Sequence, residues 1–222
     1  MHFRISLKNL GKEMTFHKFL SLVEFYTGNK NWFTDSRISI NQREIVDLIH
    51  SNKFSVIYKN RQAGVSTILG LYILWRTIET PGISIALFSH RNSQEIFRKN
   101  VNRNLEKLKI SHKIHTQKKT QLDNGSVIYY FSGQSPEALR GWSFDIITFD
   151  DLPTDYLNRF LEIPSIIPIA TSRHSDKIII STSELSLKTT IDNIGVNFQE
   201  VYGNFFNGKR EVITEKIKHS TS

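Results

Sequence analysis

The chain has 222 residues, 39% hydrophobic and 23% charged, a balance that suits one good-sized domain with a real core. It contains no cysteine, which excludes a disulfide framework or a thiolate metal site and points to a cytosolic setting. The longest apolar run, Ile68 to Trp75, falls far short of the ~20 residues that span a bilayer, and the N-terminus lacks the apolar stretch of a secretory leader, so no membrane association is expected.

Residues 1–34 are mixed, and the cluster Phe16, Phe19, Leu20, Leu22, Val23 and Phe25 predicts a short helix there. From residue 35 strands and helices alternate. Ile45, Val46, Leu48 and Ile49 place a helix over 41–50, with Asn41 as its cap. Phe54 to Tyr58 reads as a short apolar strand, followed by a loop containing Gly64 and a helix from Ser66 to Glu79. Pro81-Gly82 breaks that helix before a second buried strand, Ile83 to Phe88.

Asn92 to Lys109 predicts an amphipathic helix with Phe97, Val101, Leu105 and Leu108 on its apolar face. Gln121 to Phe131 reads as a hairpin turning at Asp123-Asn124-Gly125. Ile146 to Phe149 and Ile178 to Ile180 are two further apolar strands. Runs that are apolar on both faces belong in a parallel sheet covered by helices, so the expectation is a three-layer α/β domain over 35–185, with a tail or the start of a subdomain over 186–222.

The net charge is +8, and its placement is informative. Between Arg91 and Lys119 nine Lys/Arg residues face only Glu95 and Glu106, leaving the rest of the chain near neutral. Such a segment is either a solvated helix face or a contact for a polyanion.

Lys59 to Thr67 reads KNRQAGVST between a strand and a helix. That is the setting of a phosphate cradle, in which loop and helix N–H groups face the anion and Gly64 permits close approach. Ser66 or Thr67 would supply a hydroxyl to Mg²⁺. Val65 stands where the usual lysine would be, while Lys59 and Arg61 at the loop's start are placed to fold back over phosphates. Further on, Ile146-Ile147-Thr148-Phe149-Asp150-Asp151 is an apolar strand ending in paired carboxylates. A P-loop ATPase uses such a pair to hold Mg²⁺ and to orient the attacking water, here Asp150 and Asp151 respectively. Ser181-Thr182-Ser183 ends the last apolar strand with small hydroxyl residues.

Together these segments resemble the large terminase family. The loop fits the family form [KS]-x-R-Q-x-G-x-[ST]-[ST], in versions of which an early basic residue replaces the late lysine. Leu122 to Ser126 and Ser135 to Gly141 are similar to its hairpin and R-G segment. Ser181, Thr182 and Ser183 are similar to its coupling motif, and Asn41-Gln42-Arg43 to its adenine-reading glutamine motif.

The resemblance covers residues 35–185. It implies a three-layer P-loop NTPase of the ASCE (RecA-like) type with a mainly parallel central sheet, using ATP and Mg²⁺ to drive double-stranded DNA into a procapsid. The implied nucleotide contacts are Gln42, Lys59, Arg61, Gln62, Ala63, Gly64, Val65, Ser66 and Thr67. Asp150 and Ser66 would hold the metal, Asp151 would act on water and Arg61 on the transferring phosphoryl group. Once DNA is the expected cargo, Arg91, Arg98, Lys99 and Arg103 become its candidate contacts. Portal protein, a small terminase subunit and further copies of the chain are the implied partners, in the host cytoplasm.

Three departures from the family pattern stand out: Val65, an aspartate at position 151 where glutamate is usual, and no acid cluster of a nuclease domain before Ser222. They define the alternative, a non-catalytic nucleotide- or DNA-binding relative that has lost turnover. His112 and His115 have no neighbouring acid or cysteine and are not expected to bind zinc. Trp75 is expected in the core, and Trp142 either anchors a loop or walls the nucleotide.

Overall fold

A computed structural model describes residues 15–23, 25–26, 32–33, 40–52, 54–59, 64–115, 118–131, 142–161 and 177–182. Helix α1 (Phe16–Leu20) is capped by the Thr15 hydroxyl, which accepts from the Lys18 amide. A two-stranded antiparallel ribbon follows, β1 (Phe25–Tyr26) and β2 (Trp32–Phe33). Helix α2 spans Ile40–Ser51, so Asn41 lies inside its first turn rather than capping it.

The central sheet is built from β3 (Phe54–Tyr58), β4 (Ser84–Ser89), β5 (His112–His115), β6 (Lys119–Leu122), β7 (Val127–Phe131), β8 (Ile146–Asp150) and β9 (Lys177–Thr182). Their order across the sheet is β3-β9-β8-β4-β7-β6-β5. The pairs from β3 through β7 are parallel, and the β7-β6-β5 edge is antiparallel. The β6–β7 hairpin turns where expected. Gly125 adopts φ 87, and the Asn124 side chain accepts from Ser126 N at 3.0 Å while donating to Thr77 O at 2.8 Å. A positive φ of this kind is open to glycine without the Cβ penalty.

Helix α3 (Val65–Glu79) buries twelve of its fifteen residues. A helix apolar all round has to be enclosed on every side. It is packed against α1, α2 and α4 (Arg91–Lys107). At Gly70 the approach of α4 is so close that a Cβ would lie 2.6 Å from Cδ1 of Phe97. The predicted apolar face of α4, with Phe97, Val101, Leu105 and Leu108, is buried in this contact layer.

The register sorts the sheet's side chains by face. Ile57, Ile85, Leu87, Ile128, Tyr130, Ile146 and Ile179 join the helices in one core. The opposite face carries Phe131, Phe88 and Phe149 stacked across adjacent strands at 4.8 and 5.1 Å between ring centres. All five residues of β8 are buried, as a strand covered on both faces requires. The crossover from β3 through α3 to β4 runs one way across the sheet. The one from β8 through α5 (Thr154–Leu161) to β9 runs the other. Right-handed connections therefore place α3 and α5 on opposite faces. No described helix is long and apolar enough to cross a membrane.

Candidate functional site

Two strand ends, β3 and β8, converge on the same site because β9 lies between them. Lys59 N donates to Thr182 O at 2.9 Å and Asp151 N to Ser181 O at 2.8 Å, so each ladder runs one residue past its strand. The backbone of Ser181 and Thr182 thus braces both sides of the site.

Helix α3 begins directly after the loop. Gly64 precedes it at φ 74, in the left-handed region, and Ile68 N closes the first helical turn on Gly64 O at 3.1 Å. The amides of Val65, Ser66 and Thr67 therefore have no acceptor inside the helix, which makes this terminus suited to an anion. The Val65 side chain points into the apolar core and is buried. A lysine at that position would have to leave the core to reach a phosphate.

The cation that lies beside this helix terminus is Lys59. Its Nζ donates to Ser66 Oγ at 2.9 Å and to Asp150 Oδ1 at 3.0 Å, and the Lys59 and Asp150 side chains are 6% and 0% exposed. An ion pair so far from water holds its geometry because neither charge has another place to go. The second carboxylate oxygen, Asp150 Oδ2, is buried without a hydrogen-bond partner among the described residues. An orphaned oxygen on a carboxylate that shares Lys59 with the Ser66 hydroxyl suits a hard divalent cation, which prefers oxygen ligands. No cluster of three or more His, Cys, Asp or Glu occurs among the described residues.

Asp151 follows the strand with φ 54 and an exposed side chain. Aspartate enters this left-handed region more readily than most residues, so the shorter acid matches the backbone here. Thr67 is half-buried on α3, and Ser181 and Thr182 are buried at the end of β9. Gln42 lies in the first turn of α2. Arg61, Gln62, Ala63 and Ser183 lie outside the described residues.

The basic segment divides into two settings. Arg98 is half-buried on α4, whereas Lys99 and Arg103 are exposed, and Lys99 pairs with Glu95 at 2.9 Å. Arg91 is the first residue of that helix. His112 Nδ1 bonds to Ile110 O at 2.9 Å. Trp75 is core, as expected. Trp142 stacks on Phe144 and meets Tyr129 edge-on, on the sheet face opposite Lys59 and Asp150. It therefore does not wall the Lys59–Asp150 site.

Sequence reasoning misses Ser89. It ends β4 directly beside Asp150 in the register and is fully buried. The available signal is a small polar residue closing an apolar strand, as at Ser181, but in isolation Ser89 looks like the start of a loop.

The sequence profile described as terminase large subunit, T4likevirus-type, N-terminal, matches residues 56–194. No curated protein gave a match. By structure the chain is similar to the HK97 bacteriophage large terminase, at 12% identity and TM-score 0.62, covering 83% of this chain and 41% of that one. It is similar to the large terminase of a thermophilic bacteriophage, at 11% identity and TM-score 0.55, covering 80% and 45%. It is also similar to the N-terminal domain of the DNA packaging ATPase from bacteriophage phi29, at 13% identity and TM-score 0.51, covering 82% and 98%. At these identities the structural likeness establishes the fold, and the chain spans less than half of the first two proteins. The profile match runs from β3 past β9 and contains Lys59, Ser66, Asp150 and Ser181. With more than half of its residues under that profile, the chain belongs to the terminase large subunit family of T4-like-virus type, in its N-terminal part.

Proposed function

We propose that this chain binds ATP with Mg²⁺ at the β3–α3 loop and hydrolyses it to move double-stranded DNA into a procapsid. The observation that carries this reading is the Lys59 ammonium seated between Ser66 Oγ and Asp150 Oδ1, at the mouth of a helix whose first amides have no acceptor within it. One side chain links the hydroxyl and the carboxylate that a magnesium nucleotide needs together.

In this reading Lys59 and Arg61, with the amides of the loop and of Gly64 to Thr67, hold the phosphates, and Gln42 reads the adenine. Ser66 and Asp150 hold the cation, which when bound draws charge from the phosphate oxygens. Asp151 orients the attacking water, and Arg61 neutralises charge that develops on the transferred group. The brace from Ser181 and Thr182 to Asp151 and Lys59 offers a route by which changes at the phosphates shift β9, so the coupling role sits on Ser181, Thr182 and Ser183. Arg91, Lys99 and Arg103, with Arg98 beside them, contact the DNA backbone. Portal, a small subunit and neighbouring copies assemble around this unit in the host cytoplasm.

One observation favours the second reading, a binding relative without turnover. Asp151 carries a short side chain on an exposed, left-handed residue, so its carboxylate reaches less far than a glutamate would. A shortfall of about 1 Å at a reacting group can cost ~10²-fold in rate.

Phosphate release from Mg-ATP, with and without double-stranded DNA, on wild type and Asp150→Asn separates these outcomes. DNA-stimulated release that folded Asp150→Asn protein lacks supports the motor. Nucleotide bound without release moves the assignment to the binding relative. Absence of nucleotide binding by folded protein overturns the site.

A further inference from the structure

Ser89 on β4, Asp150 on β8 and Ser181 on β9 are direct neighbours in the parallel register, so their side chains share one row and one face of the sheet. All three are buried. Ser89 Oγ, Asp150 Oδ2 and Ser181 Oγ each lack a hydrogen-bond partner among the described residues. Thr148, two residues before Asp150 on the same face of β8, leaves its Oγ1 in the same condition.

A buried hydroxyl without a partner forfeits its hydration for no return, and alanine or valine would serve a buried strand better. Three such oxygens in one row, the central one anionic, call for a shared ligand. Lys59 approaches Asp150 through Oδ1 and leaves Oδ2 to the row. Oxygen atoms alone, one charged and two neutral, suit the water shell of a hard divalent cation. Magnesium sheds that water reluctantly and keeps several molecules when bound.

We propose that Ser89 is a positioning residue for the metal. Its hydroxyl and that of Ser181, which flank Asp150 from the neighbouring strands, would hold water of the cation and fix the orientation of the Asp150 carboxylate. This rests on the nucleotide-site reading above, and assigns to β4 a part in the site that the motif residues leave out. Outer partners of this kind change metal affinity by about 10–100-fold when removed.

The test uses the full chain and Mn²⁺ as probe, with free and bound metal counted by electron paramagnetic resonance in the presence of ADP. ADP affinity in EDTA is measured separately. Ser89→Ala is expected to weaken Mn²⁺ binding about 10-fold or more, with ADP affinity in EDTA and the melting temperature unchanged or higher. Ser89→Thr, which keeps the hydroxyl, restores the metal affinity. Ser55→Ala removes another buried, unpartnered hydroxyl, on β3 beside Ile179, and leaves it untouched. Equal Mn²⁺ affinity in wild type and Ser89→Ala overturns the role of Ser89 while leaving the nucleotide site standing. Failure of wild type to bind either ADP or Mn²⁺ overturns the site itself.

Discussion

Lys59 and Asp150 stand 91 residues apart in sequence and meet as a buried ion pair, Nζ to Oδ1, at 3.0 Å. The pair joins the two strands whose ends define the site, and it makes stability and function hard to separate. Lys59→Met and Asp150→Asn should each cost about 3–5 kcal/mol, because each leaves the other polar group buried without its counterion. The double variant should cost much less than the sum. Urea unfolding of the four proteins gives the coupling directly, and strict additivity would show that the pair contributes nothing as a pair.

Asp151 tests the backbone at the strand end. At φ 54, Asp151→Asn and Asp151→Gly should melt within a few degrees of wild type. Asp151→Val should lose about 1–2 kcal/mol, since a β-branched side chain opposes the left-handed region. Phosphate release by the asparagine variant, with the fold kept, then reports on the carboxylate alone. Full activity there would remove Asp151 from the mechanism.

Gly70 inverts the usual helix rule. Alanine in a helix interior normally gains about 1 kcal/mol over glycine. Here its Cβ would sit 2.6 and 2.8 Å from the Phe97 ring, an overpacking that costs about 1–3 kcal/mol. Gly70→Ala should therefore be net destabilising, and Phe97→Leu in the same chain should recover part of the loss. Thermal denaturation of wild type and the two variants decides the sign.

Tyr130 sets an alkaline limit. Burial pushes its phenol up to about 12, opposed by the Thr120 hydroxyl and by Arg98. Its ordinary value is about 10. Below that value the phenol is neutral in both states, and its share of stability is fully present. As pH rises towards 12 the unfolded chain ionises first and stability falls. Tyr130→Phe should flatten this fall in urea midpoints between about pH 9 and about pH 12. Near neutral pH it should cost on the order of 1 kcal/mol, since Thr120 loses its 3.3 Å partner.

The strands legible in the sequence are those whose apolar runs are long relative to their length: β3, β4, β8 and β9 match the expected segments within a residue or two. Helix α3 is legible for the same reason, with Pro81-Gly82 marking its end. What the sequence does not disclose is spatial. Nothing in Lys177 to Thr182 says that this strand lies between β3 and β8, because strand order is settled by crossover geometry rather than by local pattern. The edge strand β5, read as HKIH, passes for part of the basic segment, since its pairing with β6 and not its composition makes it a strand. Helix α5 escapes notice because it is short and follows directly on the Pro153 turn.

The candidate site is legible to the same degree. Lys59, Ser66 and Asp150 can be named from their order along the chain, and the structure brings their polar atoms together. Ser89 cannot, because a lone serine acquires meaning only from the carboxylate beside it in the sheet.

The place of β9 also governs the order of assembly. It is the last described strand in the chain, yet it separates β3 from β8 and braces both. A nascent chain that has emerged only as far as β8 has both partners of the Lys59–Asp150 pair and nothing to seat between their strands. The candidate site can thus be completed only after β9 has emerged, by an insertion into the middle of the sheet rather than by growth at its edge.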